Sequence, residues 1–179
     1  VTVGLGAGAI STNTAIGQSA IAANTTGNQN TAVGYKALST NATGTKNTAI
    51  GASAMQLATG MGNTAVGYDA LIQNTTGYYN VAIGNETLQF NTSGAGNIAI
   101  GRGALNVNVN GTGNVGLGGV ALLNNSAGNY NTALGYEALI NATGSCNIEV
   151  GGTNSSGTYA PAFNITSQSN YISMGSTSV

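Results

Sequence analysis

Aliphatic and small residues alternate along this chain in short bursts, and the bursts return on a regular beat. Aligned on the glycine that follows a branched apolar residue, they fall at Gly17, Gly34, Gly51, Gly67, Gly84, Gly101, Gly118, Gly135 and Gly151. The spacing is 17 residues, shortened to 16 before Gly67 and before Gly151. The residue before each anchor is aliphatic (Ile16, Val33, Ile50, Val66, Ile83, Ile100, Leu117, Leu134, Val150), and Thr or a β-branched residue stands two positions earlier. Between them sits Ala in seven copies, Gly116 in another and Glu149 in the last. Period-2 text rich in β-branched residues predicts a short strand at each Thr-Ala-Val slot. Four residues after the anchor comes a second apolar slot (Ile21, Leu38, Met55, Leu71, Leu88, Leu105, Leu122, Leu139), preceded by Ala in every copy but Thr87. Glycine recurs too often for a helix here, so this slot predicts a second strand.

A polar loop follows and closes on another glycine (Gly27, Gly44, Gly60, Gly77, Gly94, Gly111, Gly128, Gly144), three residues before an asparagine present in every copy. Those asparagines are Asn13, Asn30, Asn47, Asn63, Asn80, Asn97, Asn114, Asn131 and Asn147. The two short coils lose their residue between the second apolar slot and the loop glycine, where a solenoid tolerates length change. Both glycine series are expected to supply positive φ at corners.

A 17-residue period is too short for helix-pair repeats or propeller blades and fits one coil of a β-solenoid. The expected fold is all-β: a parallel β-solenoid or β-roll of about nine coils, roughly 40 Å long at the spacing of stacked strands. The asparagines would form an amide ladder along the stack, and the aliphatic slots continuous interior stripes. The alanine face would suit close approach of another surface. So thin a coil leaves little room for a self-sufficient core, which predicts several chains packed about an axis, a homotrimer. Residues 1–12 read as a terminal cap or degenerate coil and 13–152 as the repeat region. Residues 153–179, with Pro161 and then Phe163, Ile165, Tyr171, Ile172 and Met174, read as a small β segment that closes the rod or joins it to a further module.

Composition narrows the function. Of 179 residues only seven are charged: Lys36, Lys46, Asp69, Glu86, Arg102, Glu137 and Glu149. Regular spacing of Val, Ile and Leu separates the chain from disordered polar sequence. A net charge of −1 excludes the clustered cations that nucleic acid or an anionic membrane surface requires. No apolar run is long enough to span a membrane. Cys146 is single, so no intrachain disulfide forms, and a small apolar filler is its expected role.

Chemistry has few carriers. Without histidine, imidazole triads and His metal sites are excluded, and no metal or cofactor site is expected. Asp69, Glu86 and Glu137 share one slot with Lys36, two residues after the anchor. A slot that takes either sign is a solvated corner rather than an acid–base pair. Glu149 replaces the small residue of the strand, which suggests that this face opens to water near the rod's end. Gly101-Arg102-Gly103 and Gly116-Leu117-Gly118-Gly119 lack the lysine and the strand–loop–helix setting of a phosphate loop. Sequons at Asn24, Asn41, Asn74, Asn85, Asn91, Asn124, Asn141, Asn154 and Asn164 follow from composition, and glycosylation would matter only in a eukaryotic secretory setting. Tyr35, Tyr68 and Tyr136 share the slot after the anchor, while Tyr78, Tyr79 and Tyr130 sit in the polar loop. With Lys36, Asp69, Glu86, Arg102 and Glu137 they are the candidate receptor-facing residues, because Tyr beside Asn and Thr makes recognition surfaces.

The tandem text Asn30-Thr31-Ala32-Val33-Gly34-Tyr35-Lys36-Ala37-Leu38, with its Asn-Thr-Thr-Gly loops, resembles the repeats of bacteriophage tail fibre proteins. It is also similar, with a longer coil, to the heads of trimeric autotransporter adhesins, which are trimeric parallel β-rolls. The stretch from Pro161 to Thr177 looks like the segment that leads into the endosialidase-type intramolecular chaperone of phage fibres. That chaperone is absent here, so the resemblance implies a processed fibre or a fragment. It further implies a structural, non-enzymatic virion appendage. Its expected partners are its own copies, other virion structural proteins and a host cell-surface glycan or protein. A bacterial surface adhesin head is the alternative. An ice-binding solenoid would need an exposed threonine array, and the expected inward-facing Thr slot counts against it.

Overall fold

The computed structural model describes residues 3–151, 169–170 and 172–174. It is a β-solenoid with one sheet. Nine strands of three residues each stack in parallel: β2 (Thr14–Ile16), β3 (Thr31–Val33), β4 (Thr48–Ile50), β5 (Thr64–Val66), β6 (Val81–Ile83), β7 (Ile98–Ile100), β8 (Val115–Leu117), β9 (Thr132–Leu134) and β10 (Ile148–Val150). Register is fixed slot on slot, so that Ala32 pairs with Ala49 and Ala49 with Ala65. β1 (Val3–Gly4) runs antiparallel to β2, opposite in sense to the coils that follow. β11 (Ile172–Met174) adds one more parallel strand on β10, with Ile172 opposite Ile148 and Met174 opposite Val150. The aliphatic-small-aliphatic-Gly text of the repeat does recur at Ile172-Ser173-Met174-Gly175. The remaining expectations about 153–179, including Pro161, Phe163, Ile165 and Tyr171, lie outside the described residues.

The expected second strand is not a strand. From the anchor onward the backbone runs as consecutive tight turns, with left-handed φ at the second and fourth residues after the anchors from Gly17 to Gly135, as at Lys36 (55°) and Leu38 (51°), Asp69 (53°) and Leu71 (53°). Within a coil, Ala37 N–H donates to Gly34 O, Ser39 N–H to Lys36 O and Asn41 N–H to Leu38 O. Between coils, Lys36 N–H donates to Gln18 O and Leu38 N–H to Ala54 O. Every second amide therefore closes a turn while the others hold the stack, and two short strands are replaced by one strand and a turn chain. A left-handed residue other than Gly costs about 1 kcal/mol, and the stacked hydrogen bonds hold it there.

The faces are also the reverse of the expectation. The central Ala of each strand is the buried one, from Ala32 through Ala133, and the Thr, Val and Ile beside it point outward. Ile50, Ile83, Ile98, Ile100 and Val150 are each about 40% exposed. The reason is volume. The interior of a coil is filled by the side chain four residues after the anchor, of which Leu38, Leu71, Leu105 and Leu122 are fully buried. A Cβ at Gly116 would stand 3.5 Å from Leu105 Cγ and Cδ1, so the slot takes a methyl group and nothing larger. The alanine stripe is core, and the aliphatic stripe is surface.

Asparagine completes the interior. Asn97 is typical of the predicted ladder: its Oδ1 accepts the Asn114 N–H at 2.9 Å, and its Nδ2 donates to Gly111 O at 2.8 Å. The shortest bonds run from side chain to backbone, and amide-to-amide bonds accompany them: Asn97 Nδ2 donates to Asn80 Oδ1 and Asn114 Nδ2 to Asn97 Oδ1, both at 3.1 Å. A second amide ladder stands seven residues after the anchor. There Asn91 Nδ2 donates to Asn74 Oδ1, Asn108 Nδ2 to Asn91 Oδ1 and Asn125 Nδ2 to Asn108 Oδ1, at 2.8–3.0 Å. Each of these asparagines also donates to the loop glycine three residues on, as Asn108 does to Gly111. The sequons at Asn24, Asn41, Asn74 and Asn91 are thereby core positions, buried to 3% exposure or less.

The glycines divide the same way. Anchor Gly67 has φ of 139°, which side chains do not adopt, and a Cβ there would collide with the Gly84 carbonyl. Loop glycines such as Gly77 do not have positive φ. They are glycine because a Cβ would collide with Asn74 Oδ1 and the Gly94 carbonyl.

Glu149 does not open to water. It is 3% exposed, in the inward slot of the ninth repeat strand. Its Oε2 accepts the Leu139 N–H at 2.6 Å. One coil earlier the equivalent Leu122 N–H donates to a backbone carbonyl, Ala138 O. The carboxylate takes over that acceptor role at the end of the core column. Burial raises its pKa above the ordinary 4.5, and the Leu139 hydrogen bond opposes part of the rise.

Candidate functional site

The candidate residues separate into two groups at opposite ends of the short strand. Tyr35, Tyr68, Tyr136 and Arg102 occupy the first position after the anchor and are exposed. Lys36, Asp69, Glu86 and Glu137 occupy the second, half-buried, all with left-handed φ. Lys36 Nζ lies 5.2 Å from the Tyr35 ring centroid, a cation–π contact. Among the described residues no three potential metal ligands gather, and Cys146 is an exposed free thiol, not a buried filler.

Tyr78, Tyr79 and Tyr130 lie on the other corner, just before the strand. Tyr79 and Tyr130 each lay a ring over a glycine of the preceding coil: a Cβ on Gly62 would sit 2.5 Å from Tyr79 Cδ1, and one on Gly113 would sit 2.6 Å from Tyr130 Cδ1. Tyr78 meets Tyr79 edge-on, with centroids 5.5 Å apart and planes at 87°. This pair borders a hollow of about 480 Å3 whose other walls are Thr43, Gly44, Thr45, Thr59, Gly60, Met61 and Thr76.

The hollow lies at the first short coil. In a full coil the loop reads Asn74-Thr75-Thr76-Gly77; here it reads Ala58-Thr59-Gly60, one residue less and without the ladder asparagine. With no amide at position 58, Asn41 Oδ1 is left buried without a partner. The unpartnered Asn24 Oδ1, one coil nearer the N-terminus, shows that the upper end of this column is generally less satisfied than its middle. Gly44, in the wall of the hollow, packs against Asn41 Oδ1, which a Cβ there would strike.

No family model, curated protein or solved structure matches this chain. Its function is therefore argued from the surfaces the fold creates.

The largest of these is the outward sheet face, which sequence reasoning placed inside. Column one carries Thr14, Thr31, Thr48, Thr64, Val81, Ile98, Val115, Thr132 and Ile148; column two carries Ile16, Val33, Ile50, Val66, Ile83, Ile100, Leu117, Leu134 and Val150. No charged side chain stands in either column. The signal for this arrangement was present: only Ala or Gly fills the central slot in eight copies, whereas Thr, Val, Ile and Leu interchange beside it. Strict size marks a packed slot, and tolerance of volume marks a surface.

Proposed function

We propose that this chain is a rod segment of a homotrimeric phage fibre, which projects from the virion and attaches to a host surface through repeated weak contacts. The observation that carries the reading is the uninterrupted aliphatic face. Nine rungs present an unbroken column of Val, Ile and Leu beside a column of Thr, Val and Ile, and monomeric soluble proteins rarely expose an apolar strip of that extent. Three copies turned inward on an axis would cover it with identical surfaces, leaving both tyrosine corners outside. The resemblance of the repeat text to tail fibre repeats supports the virion setting, and parallel alignment follows because each rung then meets its own kind.

Multivalency gives such a rod its use. Receptor contacts repeated on three chains raise avidity by about 100-fold or more without any single tight site. The test is attachment of the purified rod to host cells, compared with an Ile83→Asp/Ile100→Asp chain. The proposal expects the double variant to be monomeric and to attach at least about ten-fold more weakly. Equal attachment by a folded monomer would overturn it.

One feature supports a second reading. The Thr slot faces outward rather than inward, which removes the ground on which ice binding was set aside. Thermal hysteresis from a monomeric chain would favour that reading over the fibre.

A further inference from the structure

We propose that the hollow at the short coil between Gly51 and Gly67 is a subsite for a neutral saccharide of the attachment surface. This rests on the reading of the rod as an attachment fibre and specifies what one part of it holds.

The lining decides the ligand class. It contains four threonines, two tyrosines, one methionine and two glycines, with no charged side chain. An anionic or cationic ligand would lose hydration there without a counter-charge. The hydroxyls of Thr43, Thr45 and Thr76 make no hydrogen bond to the described residues, whereas Thr59 Oγ1 already donates to Thr75 O. Three free hydroxyls and two tyrosines in one lining suit a sugar, which presents hydroxyls at its rim and C–H groups on its face. The volume of about 480 Å3 falls within the ~300–1,000 Å3 of small-ligand sites. It is too small for a folded protein epitope.

The walls are held before any ligand arrives. Tyr79 is fixed by its seat on Gly62, and Tyr78 is braced at right angles to it. In the next coil the slot equivalent to Tyr79 is Gly96, where a Cβ would meet nothing within 4 Å, so that slot places no side chain against the tyrosines. The shortened loop at Ala58–Gly60 leaves room between the full loops of the neighbouring coils. A full coil would close that gap and supply the asparagine that Asn41 lacks. The departure from the repeat thus costs the core an amide bond and yields the hollow.

The experiment uses the whole chain in its native assembly and saturation-transfer NMR, followed by calorimetric titration of any hit. The panel contains neutral di- and trisaccharides of glucose, galactose and N-acetylhexosamines, with sialylated and sulfated analogues and a tyrosine-rich peptide as comparators. The proposal expects at least one neutral saccharide to bind. Tyr78→Ala and Tyr79→Ala should each weaken it about ten-fold, and Tyr136→Ala, on the other corner, should leave it unchanged. A second variant guards against simple misfolding: Ala58→Asn with one threonine inserted after position 58. It restores the 17-residue coil, and is expected to raise Tm while abolishing binding. Preference for the anionic sugars or the peptide, binding that survives both tyrosine changes, or silence across the panel would overturn the subsite. A trimer that still attaches to cells in that case would leave the fibre reading standing.

Discussion

At the scale of single residues, asparagine does what hydrophobic side chains do in thicker folds. Asn97 satisfies the Asn114 N–H and the Gly111 carbonyl inside a coil from which water is excluded. Its replacement by alanine leaves the Asn114 N–H buried and unpaired and removes one of two donors from the Gly111 carbonyl, which Asn108 still reaches, at about 2 kcal/mol. Denaturant unfolding should show that loss for Asn97→Ala and a change within about 0.5 kcal/mol for the exposed Asn85→Ala. Glu149 carries a pH dependence. Its folded-state pKa is raised, so the folded chain holds the proton more tightly than the unfolded one, and the stabilising contribution is complete below the ordinary carboxylate value. It is lost as pH rises through the folded pKa. Tm should therefore fall as pH rises above the ordinary carboxylate value in the native chain and stay level in Glu149→Gln, which keeps an oxygen for the Leu139 N–H. Parallel slopes for the two chains would show that this carboxyl is not the cause.

At the scale of the coil, the repeat period and the strand at each Thr-Ala-Val slot were legible, because slot identity survives eight or nine returns of the same text. The turn chain was not. Its left-handed residues are Lys36, Leu38, Asp69 and Leu71, types that carry no mark of that conformation, since stacked hydrogen bonds and not intrinsic preference put them there. The orientation of the strand was misread for a related reason. Alternation tells that two faces differ, and only side-chain volume tells which one is packed. Ala82→Val, which adds two carbons on the inner face, and Val66→Ile, which adds one on the outer face, test that assignment. The first forces methyl groups against the leucine column and should cost about 1–3 kcal/mol. The second places at position 66 the residue that Ile50 and Ile83 already present on the same face, and should change stability by about 0.5 kcal/mol or less. Equal costs would mean that both faces are packed alike.

At the scale of the whole molecule, the two corners, the aliphatic face and the hollow are consequences of one thin coil. Its interior holds a single large side chain per turn, so other apolar residues must lie outside, and nine stacked coils turn them into a strip. The site residues named from sequence were legible as exposed corner positions; their division into two separate corners was not, because it depends on which way the chain turns after the anchor. The hollow had a sequence trace in the 16-residue spacing and in Ala58, where the neighbouring coils have asparagine, but its walls come from three coils and only stacking brings them together. The central claim is that the aliphatic face is covered by copies of the chain. Sedimentation equilibrium of the native protein tests it most directly. The account predicts a single species of three times the 17.5 kDa chain mass, stable to dilution, which the Ile83→Asp/Ile100→Asp chain does not form. A native chain that sediments at 17.5 kDa at every concentration would contradict it.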